Sequence, residues 1–88
     1  MFVILVYDIN EARVAKALKI CRKYLHWVQK SVFEGEITPA KLEKLKAELK
    51  QKVLKGEEDS VVIYILRTTA YSKREIIGGK KGGREIIY

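Results

Sequence analysis

Six consecutive residues near the start of the chain, Phe2-Val3-Ile4-Leu5-Val6-Tyr7, are apolar or aromatic, and Asp8 ends the run. No polar residue alternates with them, so the segment reads as a strand buried on both faces and central in a sheet. A second run of the same kind, Val61-Val62-Ile63-Tyr64-Ile65-Leu66, follows Ser60. Two central strands in 88 residues leave room for a single domain over residues 1–88. Its core is expected over residues 1–67, with short C-terminal strands over 74–88. A chain of this length buries a modest share of its surface, which predicts support from a partner subunit.

Between the two runs the periodicity changes. Asn10 is a good helix N-cap, with Glu11 placed for the first turn. Val14, Leu18, Cys21 and Leu25 then repeat at the spacing of one apolar helical stripe, predicting a helix over 11–25. Lys16, Lys19 and Lys23 fall on nearly the opposite side. That lysine stripe reads first as a solvated face, with a ridge turned to phosphates as the sharper alternative. Trp27 to Ile37 is mostly extended, with mixed parity, and Gly35 is a candidate bulge or hairpin within it. Thr38-Pro39 opens a second helix, Thr as N-cap and Pro at the first helical position. Leu42, Leu45, Leu49 and Val53 form its core stripe. Lys55 to Asp59 is a polar loop.

After the second apolar run come Arg74-Glu75-Ile76-Ile77 and Arg84-Glu85-Ile86-Ile87, two short strand-like pieces separated by Gly78-Gly79-Lys80-Lys81-Gly82-Gly83. That Gly-Lys stretch lacks the spacing of a phosphate-binding loop, and no helix follows it. The order β-α-β-(β)-α-β, with two helices on one face of an antiparallel sheet, predicts an α+β, ferredoxin-like domain. Its other sheet face is left uncovered and is most simply hidden against a second copy of the chain.

Eighteen Lys and Arg stand against 11 Asp and Glu, a net charge of +7. This excess suggests a polyanionic partner. Cys21 is the single cysteine, so no intrachain disulfide forms, and its place on the apolar stripe suits a core residue. The first apolar run is too short for a signal sequence or a membrane span, and a cytoplasmic protein with no membrane partner is expected. With one His (His26) and one Cys, a zinc site is not expected. Asp8 carries more information. A carboxylate directly after a buried strand sits at a sheet edge, where a hard oxygen can hold Mg²⁺ or Mn²⁺. Asp is also a common turn former, and a plain cap at the strand end fits the pattern as well.

At this point the residues resemble a known family. V-Y-D-I at Val6 to Ile9, Arg13, and V-Q-K-S-V-F-E-G-E at Val28 to Glu36 are similar to the CRISPR-associated endoribonuclease family, the second core protein of CRISPR spacer adaptation. The resemblance continues through Thr38-Pro39, the Lys/Leu helix and D-S-V-V-I-Y at Asp59 to Tyr64. It implies a ferredoxin-like homodimer whose C-terminal strand extends the partner's sheet. It implies that Asp8 from both chains faces the dimer axis and shares one Mg²⁺ or Mn²⁺, as metal ligand and catalytic residue. It implies an architectural role: the dimer bridges the CRISPR integrase and tracks the backbone of a DNA duplex during spacer acquisition. It further implies a metal-dependent endonuclease activity on single-stranded RNA or double-stranded DNA, described for some members and dispensable for acquisition in others. Arg13 matches a phosphate-contacting position, with Lys16 beside it. Phe33 is implied to pack near the site at the interface. Trp27 stands where the family commonly has Arg, which removes one cation from that neighbourhood.

Two other functions share this fold. A stand-alone, toxin-type metal-dependent endoribonuclease would use Asp8 in the same way. A single-strand RNA reader would need an aromatic RNP motif on the sheet, and the sequence has none.

Overall fold

The computed structural model describes residues 1–66 and 71–78. The element order is β1 (Phe2–Asp8), α1 (Val14–Arg22), β2 (His26–Gln29), β3 (Val32–Glu36), α2 (Pro39–Lys52), β4 (Ser60–Leu66) and β5 (Tyr71–Gly78). The strands form one antiparallel sheet in the order β2-β3-β1-β4-β5. A β-α-β-β-α-β chain with β1 between β3 and β4 is the ferredoxin-like arrangement. The strand β5 adds to it beyond β4.

The two apolar runs lie side by side, with Leu5 opposite Ile63 and Ile4 opposite Tyr64. They are central, as expected. They are not covered on both faces within one chain. Val3, Leu5 and Tyr7 are buried under the helices, whereas Phe2, Ile4 and Val6 remain partly exposed on the other side. Both helices pack on the same face, so only every second residue of β1 finds cover.

The helix α2 forms as the sequence predicts. The Thr38 hydroxyl accepts from the Lys41 N–H at 3.2 Å, and Pro39 begins the helix. Leu42, Leu45, Leu49 and Val53 are buried. Each such side chain removed from water contributes about 1.5–3 kcal/mol. Lys46 reaches Glu75 on β5 at 2.8 Å and ties the helix to that strand.

The helix α1 is shorter than its apolar stripe suggests. Asn10 does not cap it; Arg13 occupies the N-cap position, and Glu11 lies outside the helix. The Asn10 side chain instead accepts from Ala12 N–H at 2.8 Å, and the Asn10 carbonyl from Arg13 N–H at 2.9 Å. This tight turn gives the Asn10 carbonyl to Arg13, where a helix beginning at Asn10 would give it to the Val14 N–H. Its core face is Ala17, Ile20 and Cys21, with Val14 and Leu18 at the margin. Cys21 is wholly buried, and burial pushes its thiol up to about 12.

The segment 27–37 divides at Lys30-Ser31, not at Gly35. Lys30 takes a left-handed φ of 45°, and the Trp27 indole N–H donates to its carbonyl at 2.8 Å. Gly35 stays inside β3, opposite Val3. Arg74 to Ile77 belongs to β5, which pairs with β4 of the same chain, Ile76 opposite Val62. The Arg84 to Ile87 piece and residues 79–83 lie outside the described residues. No helix among the described residues is long and apolar enough to cross a membrane.

Candidate nucleic-acid and metal site

The site gathers at one end of the sheet. Asp8 is the last residue of β1, held by the ladder opposite Ser60. It shares the parity of Ile4 and Val6, so it belongs to the face the helices leave open. Its side chain is exposed and, among the described residues, makes no hydrogen bond or ion pair. A plain cap would show a bonded carboxylate. Asp8 therefore stands as an uncommitted hard-oxygen donor.

Immediately after Asp8 the chain is pinned from the entry to the neighbouring strand β4. Asp59, at the entry to β4, has no exposed surface. Its Oδ1 accepts from the Asn10 N–H at 2.9 Å. Its Oδ2 accepts from the Gly56 N–H at 3.1 Å, the Lys55 N–H at 3.3 Å and the Arg13 guanidinium. Burial works to raise the pKa of this carboxyl. The N–H groups of Asn10 and Gly56, the Arg13 guanidinium and the Lys55 N–H outweigh burial and bring it down to about 2. Arg13 also donates from Nε to the Val53 carbonyl at 3.0 Å. The turn after Asp8 is thus locked to the stretch that joins the end of α2 to β4, distant from it in sequence.

Asp59 was not singled out in the sequence, where it closes a polar loop. The only signal was an acid placed directly before an apolar strand, with an Arg far upstream to meet it.

The other expected site residues are dispersed. Arg13 is turned to Asp59 and Val53, so its guanidinium serves the fold, a different task from the phosphate contact the resemblance implies. Phe33 lies opposite Leu5, fully buried, with its ring 6.0 Å from that of Tyr7. It is a core residue under the helices and does not line the open face. Trp27 is on the edge strand β2, two strands from β1 and 49% exposed, with Arg22 over its ring at 5.9 Å. Lys16 is exposed on α1. His26 opens β2, on the same sheet edge as Trp27.

Among the described residues, no three of His, Cys, Asp or Glu come together as a metal site. One chain supplies one carboxylate, Asp8, on an open face. Two copies meeting on that face would supply a pair, so the donor chemistry suits a hard divalent ion only in a dimer.

The antiparallel sheet with two helices on one face defines a small α+β domain of ferredoxin-like architecture. The family described as CRISPR associated protein Cas2 matches residues 1–74. A protein named CRISPR-associated endoribonuclease Cas2 from Dictyoglomus turgidum is 55% identical over 87 residues, covering 99% of each chain. One of the same name from Thermotoga maritima is 50% identical over 88 residues, covering all of both chains. A solved structure described as cas2 superposes with a TM-score of 0.73 at 42% identity, covering 100% of this chain and 98% of that one. The crystal structure of Streptococcus pyogenes Cas2 gives a TM-score of 0.68 at 34% identity, over 76% of this chain and 87% of that one. The chain belongs to the Cas2 family of CRISPR-associated proteins.

Proposed function

We propose that the chain acts as a homodimer that grips the backbone of duplex nucleic acid and bridges the CRISPR integrase during spacer acquisition. A magnesium-dependent endonuclease activity accompanies that role. The observation that carries this reading is Asp8, exposed and unbonded at the end of an open apolar sheet face.

The face argues for the dimer. Ile4 lies opposite Tyr64, Val6 opposite Val62, and Val62 opposite Ile76, so the exposed side of β1 and β4 is apolar, with Glu34 and Arg74 at its flanks. An apolar sheet face of this kind is covered most simply by its own copy. Two copies carry a net charge of about +14, twice +7. Such charge favours phosphate backbone without base reading and makes binding strongly salt-dependent.

Toward a phosphodiester, the two Asp8 carboxylates would hold the ion between them. Bound there, such an ion would supply positive charge near the phosphate and a more acidic water. The chain's own contribution is to aim Asp8, which the ladder to Ser60 and the Asn10–Asp59 bond do from either side. His26, the single histidine, is on the far edge strand and is no base for this site. Turnover is therefore expected to be slow.

The test is a pull-down of the integrase with the wild-type chain and a short duplex, beside cleavage assays with Asp8→Ala. The reading expects a ternary complex with both proteins and magnesium-dependent cleavage by the wild type alone. Failure to retain either the integrase or the duplex would overturn it.

A further inference from the structure

On the side of the sheet away from the open face, α1 and α2 enclose a groove of about 670 Å³ lined by Lys16, Lys19, Ile20, Lys23 and Lys52. We infer that this groove is a second nucleic-acid contact, a seat for the phosphate backbone of a duplex, separate from Asp8. The inference rests on the proposed function and assigns it a surface.

Charge is the first argument. Four ammonium groups line the groove, and the acid paired within it is Glu48, which meets Lys23 at 2.8 Å. Four positive charges against one negative leave about +3 along this open groove, which favours an incoming anion. Lys16, Lys19 and Lys52 are exposed and make no ion pair among the described residues. Lys46, by contrast, takes both Glu43 and Glu75.

Spacing is the second argument. Lys16, Lys19 and Lys23 stand on successive turns of one helix and span about 10 Å along its axis. That length carries about three phosphates of one duplex strand. Lys52 faces them from the other helix. Arg13 holds the two walls in this relation, because its Nε bonds the Val53 carbonyl directly after Lys52.

The lining also selects the form of nucleic acid. No aromatic ring lines the groove, and its one apolar residue, Ile20, is nearly buried. Unpaired bases would have nothing to stack on, which disfavours single strands. Lysines are flexible point charges that hold phosphate without reading sequence. An anionic membrane surface would ask for exposed Trp, Phe or Leu beside the lysines, and the groove offers none.

The test compares duplex binding by fluorescence anisotropy across a salt series for three full-length chains. These are the wild type, Lys16→Gln/Lys19→Gln/Lys52→Gln, and the charge-matched Lys41→Gln/Lys44→Gln/Lys50→Gln on exposed parts of α2. Circular dichroism checks that each is folded. The groove variant should lose at least tenfold in affinity at low salt. Its slope of log K against log salt should be shallower by about 2.7, at about 0.9 per phosphate. The charge-matched control should lose much less. A groove variant with the wild-type slope, or a control that loses as much, overturns the groove and leaves the duplex-binding reading standing. A wild type that binds no duplex overturns both. A groove variant defective only toward single strands overturns the assignment to duplex.

Discussion

Arg13 and Asp59, 46 residues apart in the chain, meet in a buried ion pair that joins the turn after Asp8 to the loop before β4. Asp59 is fully buried and Arg13 is one-quarter exposed. A buried charge of this kind persists only because every lone pair is occupied, here by three backbone N–H groups and one guanidinium.

Removal of the acid should therefore cost more than removal of the base. Asp59→Ala leaves three N–H groups and a guanidinium without their acceptor, and should destabilise the chain by about 3–5 kcal/mol. Arg13→Met leaves Asp59 its backbone donors and should cost about 2 kcal/mol. Urea unfolding followed by circular dichroism measures both. Equal losses, or losses near zero, would show that the cluster does not hold the fold.

The same carboxylate predicts an acid limb in stability. Its pKa is lowered from 3.8 to about 2 in the folded chain, so the unfolded state binds the proton more readily. The stabilisation is complete above about pH 4 and is lost as pH falls through about 2. Glu75 adds to this limb. Burial works to raise its pKa, but Lys46 and Lys73 lower it. Unfolding midpoints measured from neutral pH downward should fall steeply in the wild type and less steeply in Asp59→Asn. Parallel curves would contradict this assignment.

Much of this arrangement could be read from the chain before any coordinates. Thr38-Pro39 and the Leu42, Leu45, Leu49 stripe carry their own local signals, and α2 begins and packs where they indicate. The runs at Phe2 and Val61 are central because their composition demands neighbours on both sides. What escaped the sequence depends on distant partners. The turn that precedes α1 is anchored by Asp59, far along the chain, through the Asn10 N–H. The hairpin at Lys30 lacks the usual Gly or Asn and is propped by the Trp27 indole. With the hairpin placed elsewhere, Phe33 could not be assigned to the covered face. Asp8 was legible as an important carboxylate, and its freedom from partners became visible only in three dimensions.

Gly78 closes β5 against the same corner. Its φ is +113°, and a Cβ there would stand 2.4 Å from the Asp59 carbonyl oxygen. Backbone on that side cannot yield without disturbing the Asp59 cluster. Gly78→Ala should cost on the order of 2 kcal/mol in thermal or urea unfolding. A neutral result would mean that this corner is looser than its geometry indicates.

The open sheet face predicts the oligomeric state. Ile4 sits in the middle of that face, between Glu34 and Tyr64. A charge there would have to be desolvated in a docked pair, at a cost of several kcal/mol. Ile4→Asp should sediment as a folded monomer and lose magnesium-dependent cleavage, while the wild type sediments as a dimer. A variant that stays dimeric would move the interface to another surface.

The central claim is that Asp8 is half of a site completed by a second copy. Manganese titration of the wild-type chain, read by electron paramagnetic resonance, tests it most directly. The account predicts one tightly held ion per two chains, absent in Asp8→Ala although that variant remains dimeric. One ion per chain, or undiminished binding in Asp8→Ala, would contradict it.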